Sequence, residues 1–296
     1  MNHWVEFQRS DFANEKEISE VIRKLWREYM IDILGIPESS AVPRIEAEVR
    51  GDFHVDLLNS LESQGWQLKR AIVLDIGCGT GALASALIAR GAHVIGIEPS
   101  FPWGYAAHHR LVKKKKDYGQ IIIGNGAYVP LKDQSVDYVF SLQVLEHVPQ
   151  EAANKIIREI ARVLRPGGRA YITFESYLSF WEPHYKVRWF PYLPKKIGSA
   201  YLQLLGRDSA FLWDHIHYNS MLTLMKTCFE VGLYQSSWKI MMAKLNNPTV
   251  VNNIFRRQIL RMIKFLPPSL QTFLVWAYLG RGQLFHTTIT LRLTRE

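Results

Sequence analysis

The segment Val73-Leu-Asp75-Ile-Gly77-Cys-Gly79-Thr-Gly81 is where residue types and spacing first point to chemistry. Glycine has no Cβ, so three of them at alternate positions let the chain turn tightly and lie close against a ligand. An apolar run precedes the turn and a helical pattern follows it, which presents the unpaired N–H groups of a helix N-terminus. Such a turn suits a nucleotide-type ligand. With Ala82 the same residues also satisfy Gly-x-Gly-x-x-Ala, the spacing of a nicotinamide-binding turn, so the turn alone leaves the ligand open.

The residues downstream narrow the choice. Glu98 ends the next apolar run, Ile95-Gly-Ile-Glu98, where a carboxylate can accept from both hydroxyls of a ribose. Gly124-Asn125-Gly126 follows, then the apolar run from Val136 that ends in Ser141-Leu-Gln143-Val-Leu-Glu146-His147-Val148, and finally Arg165-Pro-Gly-Gly168. In these four ordered motifs, over about residues 70–175, the chain resembles the class I S-adenosylmethionine-dependent methyltransferases, in particular the small-molecule and glycan-tailoring group. The resemblance implies S-adenosyl-L-methionine as cofactor. It would pass Gly77, Gly79 and Gly81 beneath the methionine part, hold its ammonium with Asp75 and bind the ribose with Glu98. Asn125 and Gly126 would meet the adenine, with Asn125 standing where the family commonly has Asp. Gln143 would lie beside the sulfonium, and Cys78 is a packing residue.

Methyl transfer from a sulfonium needs a nucleophile held about 3 Å from the methyl in a water-poor pocket, and it needs no metal. A sugar or alcohol hydroxyl also needs a base, which a phenol can do without. His147, just past a strand end that faces the pocket, is the candidate base; the alternative is that Glu146 and His147 only fix the loop or cap the following helix. His215-Ile-His217 has two histidines but no carboxylate cluster beside it, so no metal site is expected. Tyr177, Phe180, Trp181, Tyr185, Trp189, Phe190, Tyr192, Phe211 and Trp213 crowd one segment together with His184, and rings of this kind either stack on an acceptor or pack an insertion.

These residues must be carried by elements the pattern also predicts. Apolar residues at three- and four-residue steps from Ile18 to Ile33 make a helix, Ala41-Val-Pro43 interrupts, and a second helix runs from Ile45 to Gln64. Residues 1–66 thus read as an N-terminal helical cap, and 67–296 as the methyltransferase domain. Strands at 71–76, 93–97, 120–123, 136–142 and 169–174 alternate with helices at 81–90, 103–116 and 150–165, the last ended by Pro166-Gly-Gly168. A helix at 218–231 and a strand at 233–240 follow, and His286–Thr294 alternates as an antiparallel last strand. The fold class is therefore α/β, a Rossmann-like, seven-stranded, mostly parallel sheet. Segments 176–216 and 241–283 fit no crossover and read as lids above the ligand-binding edge.

Composition sets the remaining bounds. Two cysteines in 296 residues exclude a disulfide framework, and a reducing, cytoplasmic setting is expected. The apolar stretch Leu270–Leu279 is shorter than a bilayer span of about 20 residues. Residues 1–179 hold 21 Lys and Arg against 22 Asp and Glu, whereas 180–296 hold 15 against 5, so the positive field sits in the C-terminal part and favours an anionic partner. Asn252–Leu266 places Ile254, Ile259, Met262, Ile263 and Leu266 opposite Arg257, Arg261 and Lys264, as a surface helix packed on the core or as a contact for an anionic membrane. No nucleic-acid-binding module is recognisable, and nucleic acid is not the expected partner. The functional expectation is O-methylation of a sugar, glycan or lipid-linked precursor. A quinone or natural-product phenol is the second acceptor, and a non-catalytic scaffold the rival of another class.

Overall fold

The computed structural model describes residues 15–114, 119–177, 179–235, 244–250, 254–268, 270, 271, 274 and 288–295. Its centre is a seven-stranded sheet of β1 (Ile72–Ile76), β2 (His93–Glu98), β3 (Gly119–Ile123), β4 (Val136–Leu142), β5 (Leu164–Glu175), β8 (Leu233–Gln235) and β9 (Thr288–Arg295). The order is β3-β2-β1-β4-β5-β9-β8, with β1 to β5 parallel and β9 antiparallel to both β5 and β8. The chain reverses its direction of travel between β1 and β4, and the crevice above such a switch point is where open α/β sheets hold ligands. The expected fold class is the one observed. Leu291 and Leu293 of β9 are buried and Arg292 is exposed, as the alternation predicts for a strand covered on one face.

Helices cover both faces. On one side α6 (Gln150–Val163) and α9 (Met221–Glu230) bury Ile156, Ile157, Ile160, Leu224 and Met225 against Leu74, Ile76 and Val139. On the other, α3 (Val55–Ser63), α4 (Ala82–Ala89) and α5 (Phe101–Lys114) bury Leu58, Leu61, Leu83, Leu87 and Leu111 against Val73, Val94 and Phe140. Each fully buried Leu or Ile of these layers contributes roughly 1.5–3 kcal/mol.

Ahead of the sheet stand α1 (Glu15–Arg27), a π-helical turn (Glu28–Ile33) and α2 (Glu38–Arg50). Ile18, Val21, Ile22 and Leu25 of α1 are buried beside Ala106 of α5, at the predicted helical spacing. The expected break at Pro43 is absent. Pro43 lies inside α2, where burial of Ala41 and Ile45 outweighs the one backbone hydrogen bond that proline cannot make. The break falls instead at Gly51, whose left-handed backbone (φ +76°) ends α2.

The second correction concerns the end of α6. It stops at Val163 rather than at Arg165, and β5 begins at Leu164. Leu164 pairs with Val136 and Arg169 with Tyr138, so Arg165-Pro-Gly-Gly168 bulges out opposite the single residue Asp137, to which Arg165 is ion-paired. The tetrapeptide is a bulge in a strand, with Gly167 at φ +78°, not the terminator of a helix.

The segment 176–216 contains a short hairpin of β6 (Trp181–Glu182) and β7 (Val187–Arg188), then α7 (Lys195–Leu204) and α8 (Ala210–Asp214). Tyr177, Tyr185, Trp189, Leu202, Phe211 and Leu212 share one core with Met30, Leu34, Ala41 and Ile45. The first predicted lid and the N-terminal helices therefore pack as a single cap. Phe180, Trp181, Phe190, Tyr192 and Trp213 remain exposed, so the aromatic run divides between packing and surface.

Of the second predicted lid, residues 244–250, 254–268, 270, 271 and 274 are described. They include α10 (Ile254–Lys264). Among the described residues its expected apolar side is largely uncovered: Ile254, Ile259 and Met262 are exposed, as is Phe265 just beyond it, while Ile263 and Leu266 are half-buried. The strand predicted at 233–240 is seen as Leu233–Gln235, and its remainder lies outside the described residues, as do residues 1–14 of the predicted cap.

Candidate active site

The glycine turn folds as its residue types require. Gly77, Gly79 and Gly81 all take positive φ, at +73°, +55° and +76°. A Cβ on Gly77 would collide with Val144 Cγ2, so the turn is pressed against the segment that leaves β4. The Gly77 N–H donates to the Ile97 carbonyl at 2.8 Å, which ties the turn to β2.

Two carboxylates flank this turn. Glu98 is buried; its Oε2 accepts from the Gly79 N–H at 2.9 Å and its Oε1 from the Ser100 N–H at 3.0 Å. Burial raises its carboxyl, and the two N–H donors work against that rise. Asp75 is more deeply enclosed, and its Oδ2 has no hydrogen-bond partner among the described residues. Burial, with Glu98 close by, pushes Asp75 up to about 7. A buried, unsatisfied carboxylate oxygen is costly unless a donor or cation meets it. The ammonium of an aminoacyl ligand fits that demand.

The other sequence candidates divide. Gln143 sits just past β4 with a left-handed backbone (φ +57°), held by its N–H to the Thr173 carbonyl at 2.9 Å. A non-glycine residue in that region costs about 1–3 kcal/mol, which is typical of ligand-binding positions. Asn125 is exposed, and its Oδ1 accepts from the Ala127 N–H at 2.9 Å. Its amide oxygen is thus engaged in a local turn, with one lone pair and the amide N–H groups left for a ligand. Gly126 has a packing reason, since a Cβ there would lie 2.5 Å from Ile76 Cγ2.

Sequence reasoning missed the residues that roof the turn. The ring of Trp103 lies over Gly79, and Trp26 meets it edge-on at 5.0 Å while donating Nε1–H to Thr80 Oγ1 at 3.2 Å. Buried Arg110 donates Nη1 to the Thr80 carbonyl at 3.0 Å and Nη2 to the carbonyls of Glu48 and Val49. Burial lowers Arg110 to about 10. The only sequence signal was the pair of aromatics on two helical faces.

An aromatic chain leads from the turn to a second group of polar residues. Tyr29 lies 6.0 Å from Trp103 and 5.6 Å from Phe211, and Phe211 lies 5.9 Å from His147 and 5.6 Å from His184. His147 is half-buried in a 3-10 turn (Leu145–His147), with Nδ1 2.9 Å from the His215 carbonyl. A carbonyl can only accept, so Nδ1 carries the proton and Nε2 the lone pair. Burial pushes His147 down to about 3. His184, from the loop between β6 and β7, bonds through Nδ1 to Glu182 Oε1 at 2.8 Å. Burial alone would lower His184, but the carboxylates of Glu182, Glu146 and Glu175 raise it above the usual imidazole value.

Glu146 completes this group. It is 1% exposed, and both carboxylate oxygens lack a hydrogen bond among the described residues, although the N–H groups of Glu146 and Glu175 lie nearby. Burial pushes it up to about 8. One ligand atom from each of Glu146, His147 and His184 lies within 4.8 Å of the others. His215 and His217 enter differently: their backbone groups brace the loop, through the His215 carbonyl and through the His217 N–H donating to the Glu146 carbonyl at 2.8 Å.

Residues 74–172 match a family described as Methyltransferase domain. Among curated proteins, an uncharacterized methyltransferase of Mycobacteroides abscessus is 36% identical over 146 residues, which are 48% of this chain and 54% of that protein. A ubiquinone biosynthesis O-methyltransferase of Marinobacter nauticus is 41% identical over 107 residues, 36% of this chain and 43% of its own. The chain thus spans about half the length of the curated relatives it matches. A Galdieria sulphuraria crystal structure assigned as a sarcosine dimethylglycine methyltransferase is 18% identical, covers 94% of this chain and 97% of its own, and superposes with a TM-score of 0.50. At that identity the likeness is one of fold.

Proposed function

We propose, from the premise that residues 74–172 form a class I methyltransferase domain with S-adenosylmethionine as its cofactor, that the whole chain is an S-adenosylmethionine-dependent O-methyltransferase. The observation that carries this reading is the unsatisfied Asp75 carboxylate beside the three positive-φ glycines, with Glu98 across the turn. S-adenosylmethionine supplies a methyl group on a positively charged sulfur, open to in-line attack. Asp75 meets the ammonium, Glu98 the ribose hydroxyls, Asn125 and Gly126 border the adenine, and Gln143 stands beside the sulfur. Trp26, Trp103 and Tyr29 exclude water, so that charge is neutralised in a dry pocket where positioning supplies most of the rate.

His147 is the residue we assign to the acceptor hydroxyl, through its free Nε2 lone pair. An imidazole pushed down to about 3 is a weak base, and alone it does not take a proton from an alcohol. The group around it, Glu146 and His184, is therefore part of the same device. A polar cluster of this kind supports an acceptor whose hydroxyl ionises with difficulty, as in a sugar, glycan or lipid-linked precursor. The relatives named for ubiquinone biosynthesis favour a second reading, a phenolic hydroxyl on a quinone precursor. Their similarity covers only about a third of this chain, however, and we assign the acceptor to Phe211, His184 and the cap around them.

The surface of α10 supports an acceptor carried in a membrane. Ile254, Met262 and Phe265 are exposed beside Arg257, Arg261 and Lys264, and residues 241–287 contain no Asp or Glu. Apolar side chains flanked by cations suit an anionic lipid surface. The contact we infer is a peripheral one; no helix among the described residues is long and apolar enough to cross a membrane. Incubating the protein with methyl-labelled S-adenosylmethionine and separated lipid-linked, soluble-sugar and quinone-precursor fractions tests the acceptor. Label in the lipid-linked or sugar fraction supports the first reading, label in the quinone fraction alone the second, and no label in any fraction removes the O-methyltransferase reading.

A further inference from the structure

We propose that Glu146, His147 and His184 are the protein ligands of a divalent transition-metal cation, and that this cation receives the hydroxyl of the acceptor. The second half rests on the O-methyltransferase reading; the first stands on geometry alone. The sequence predicts no metal, because His215 and His217 have no carboxylate cluster beside them. The fold assembles a different set from two segments 37 residues apart, one after β4 and one in the hairpin loop.

Three features point to a cation rather than to a packed polar cluster. The ligand atoms converge within 4.8 Å of one another. A metal–ligand bond length of about 2.0–2.2 Å needs them closer still, by roughly one ångström. Next, both imidazoles are held by Nδ1, His147 on the His215 carbonyl and His184 on the Glu182 carboxylate, so each aims Nε2 away from its support. Backbone carbonyls and carboxylates behind the ring are the usual outer partners of metal-bound histidines. Finally, Glu146 is buried with two unsatisfied oxygens, the condition in which a buried carboxylate is costly and a cation relieves it.

Two nitrogens and one carboxylate leave coordination positions open, as in catalytic rather than structural sites. They favour zinc, iron(II), cobalt or manganese over magnesium, which prefers oxygen ligands. An acceptor oxygen in an open position would lose its proton to solvent water far more readily than a free alcohol. His147 then acts on the hydroxyl through the cation that its Nε2 holds, not as a base in its own right. Glu182 and the His215 carbonyl then act as positioning groups.

The test uses full-length, tag-free protein stripped with chelator, dialysed and titrated calorimetrically with Zn2+, with Co2+ as a visible-absorption probe. One equivalent is expected to bind, and His147→Ala and Glu146→Gln are each expected to weaken it about 100-fold or more with near-ultraviolet circular dichroism unchanged. His108→Ala, on the exposed side of α5, keeps wild-type affinity. S-adenosylhomocysteine is titrated into the same samples. Absence of metal binding in protein that still binds S-adenosylhomocysteine overturns the metal site and leaves the methyltransferase reading intact. Binding that survives both ligand substitutions also overturns it. Loss of S-adenosylhomocysteine binding in folded wild-type protein overturns the methyltransferase reading instead.

Discussion

Gly79 and Glu98 are joined by a 2.9 Å hydrogen bond from the glycine N–H to the carboxylate Oε2. The residue assigned to the ribose thus also holds the shape of the turn on which the cofactor lies. Its other oxygen is fixed by Ser100, so Glu98 is positioned before any ligand arrives.

Glu98→Gln should weaken S-adenosylhomocysteine binding about tenfold, since the amide keeps one acceptor and loses the charge. Glu98→Ala should cost more, about 100-fold, because it frees the Gly79 N–H as well. Calorimetry on both variants checks the ranking; equal affinities for wild type and alanine variant would remove Glu98 from the site.

Asp75, raised to about 7 by burial and by Glu98, makes cofactor binding depend on pH. The ammonium of the ligand is attracted to the ionised carboxylate, so affinity should rise from pH 5 to 7, by up to about tenfold per unit, and then level off. Stability of the free protein runs the other way. The folded chain holds this proton more tightly than the unfolded chain, in which Asp titrates near its ordinary value of about 4. The stability that protonation contributes is therefore present in acid and declines as pH rises from about 4 towards 7. Asp75→Asn should give weak, pH-independent binding and a higher Tm than wild type at pH 8. A wild-type affinity already flat between pH 5 and 7 would show that Asp75 does not meet the ammonium.

What is legible in the sequence is local. The turn Gly77–Gly81 announces itself because glycine most readily takes φ near +73°, +55° and +76° at alternate positions, with close neighbours at Gly77 and Gly81. The strand alternation of β9 and the helical spacing of α1 are likewise properties of adjacent residues. What depends on distant packing is not legible. Pro43 reads as a break because its own chemistry disfavours a helix interior, and the burial of Ala41 and Ile45 that overrides it comes from the cap core. Arg165-Pro-Gly-Gly168 reads equally well as a helix stop or a strand bulge until Leu164 and Arg169 are seen paired to β4. Glu146 reads as a loop or capping residue, since nothing near it in sequence reveals that its oxygens are buried without partners beside His184.

Arg110 illustrates how the cap and the cofactor turn are coupled. Its guanidinium spans the carbonyls of Glu48, Val49 and Thr80, so Arg110→Met removes a donor from three carbonyls, those of Glu48 and Thr80 in buried bonds. Destabilisation of about 3 kcal/mol is expected, read as a fall in Tm of several degrees. S-adenosylhomocysteine affinity should fall with it, because Thr80 belongs to the turn. A Tm within one degree of wild type would contradict this role.

His147→Ala should reduce turnover by about 10²–10⁴ while S-adenosylhomocysteine affinity stays within about threefold, since the side chain faces the acceptor cluster and not the glycine turn. Retained turnover would remove His147 from the mechanism. A parallel loss of cofactor affinity would show that it acts by holding the β4 loop.

The cofactor and acceptor roles assigned above depend on the turn after β1 binding S-adenosylmethionine. A calorimetric titration of folded, full-length protein with S-adenosylhomocysteine decides this, repeated on Gly77→Val, whose Cβ would collide with Val144 Cγ2. One site per chain is expected in the wild type and at least a 100-fold loss in the variant, with the variant still folded by circular dichroism. No heat of binding from well-folded wild-type protein, or equal binding by Gly77→Val, would refute the assignment and favour a scaffold that has kept the fold without the ligand.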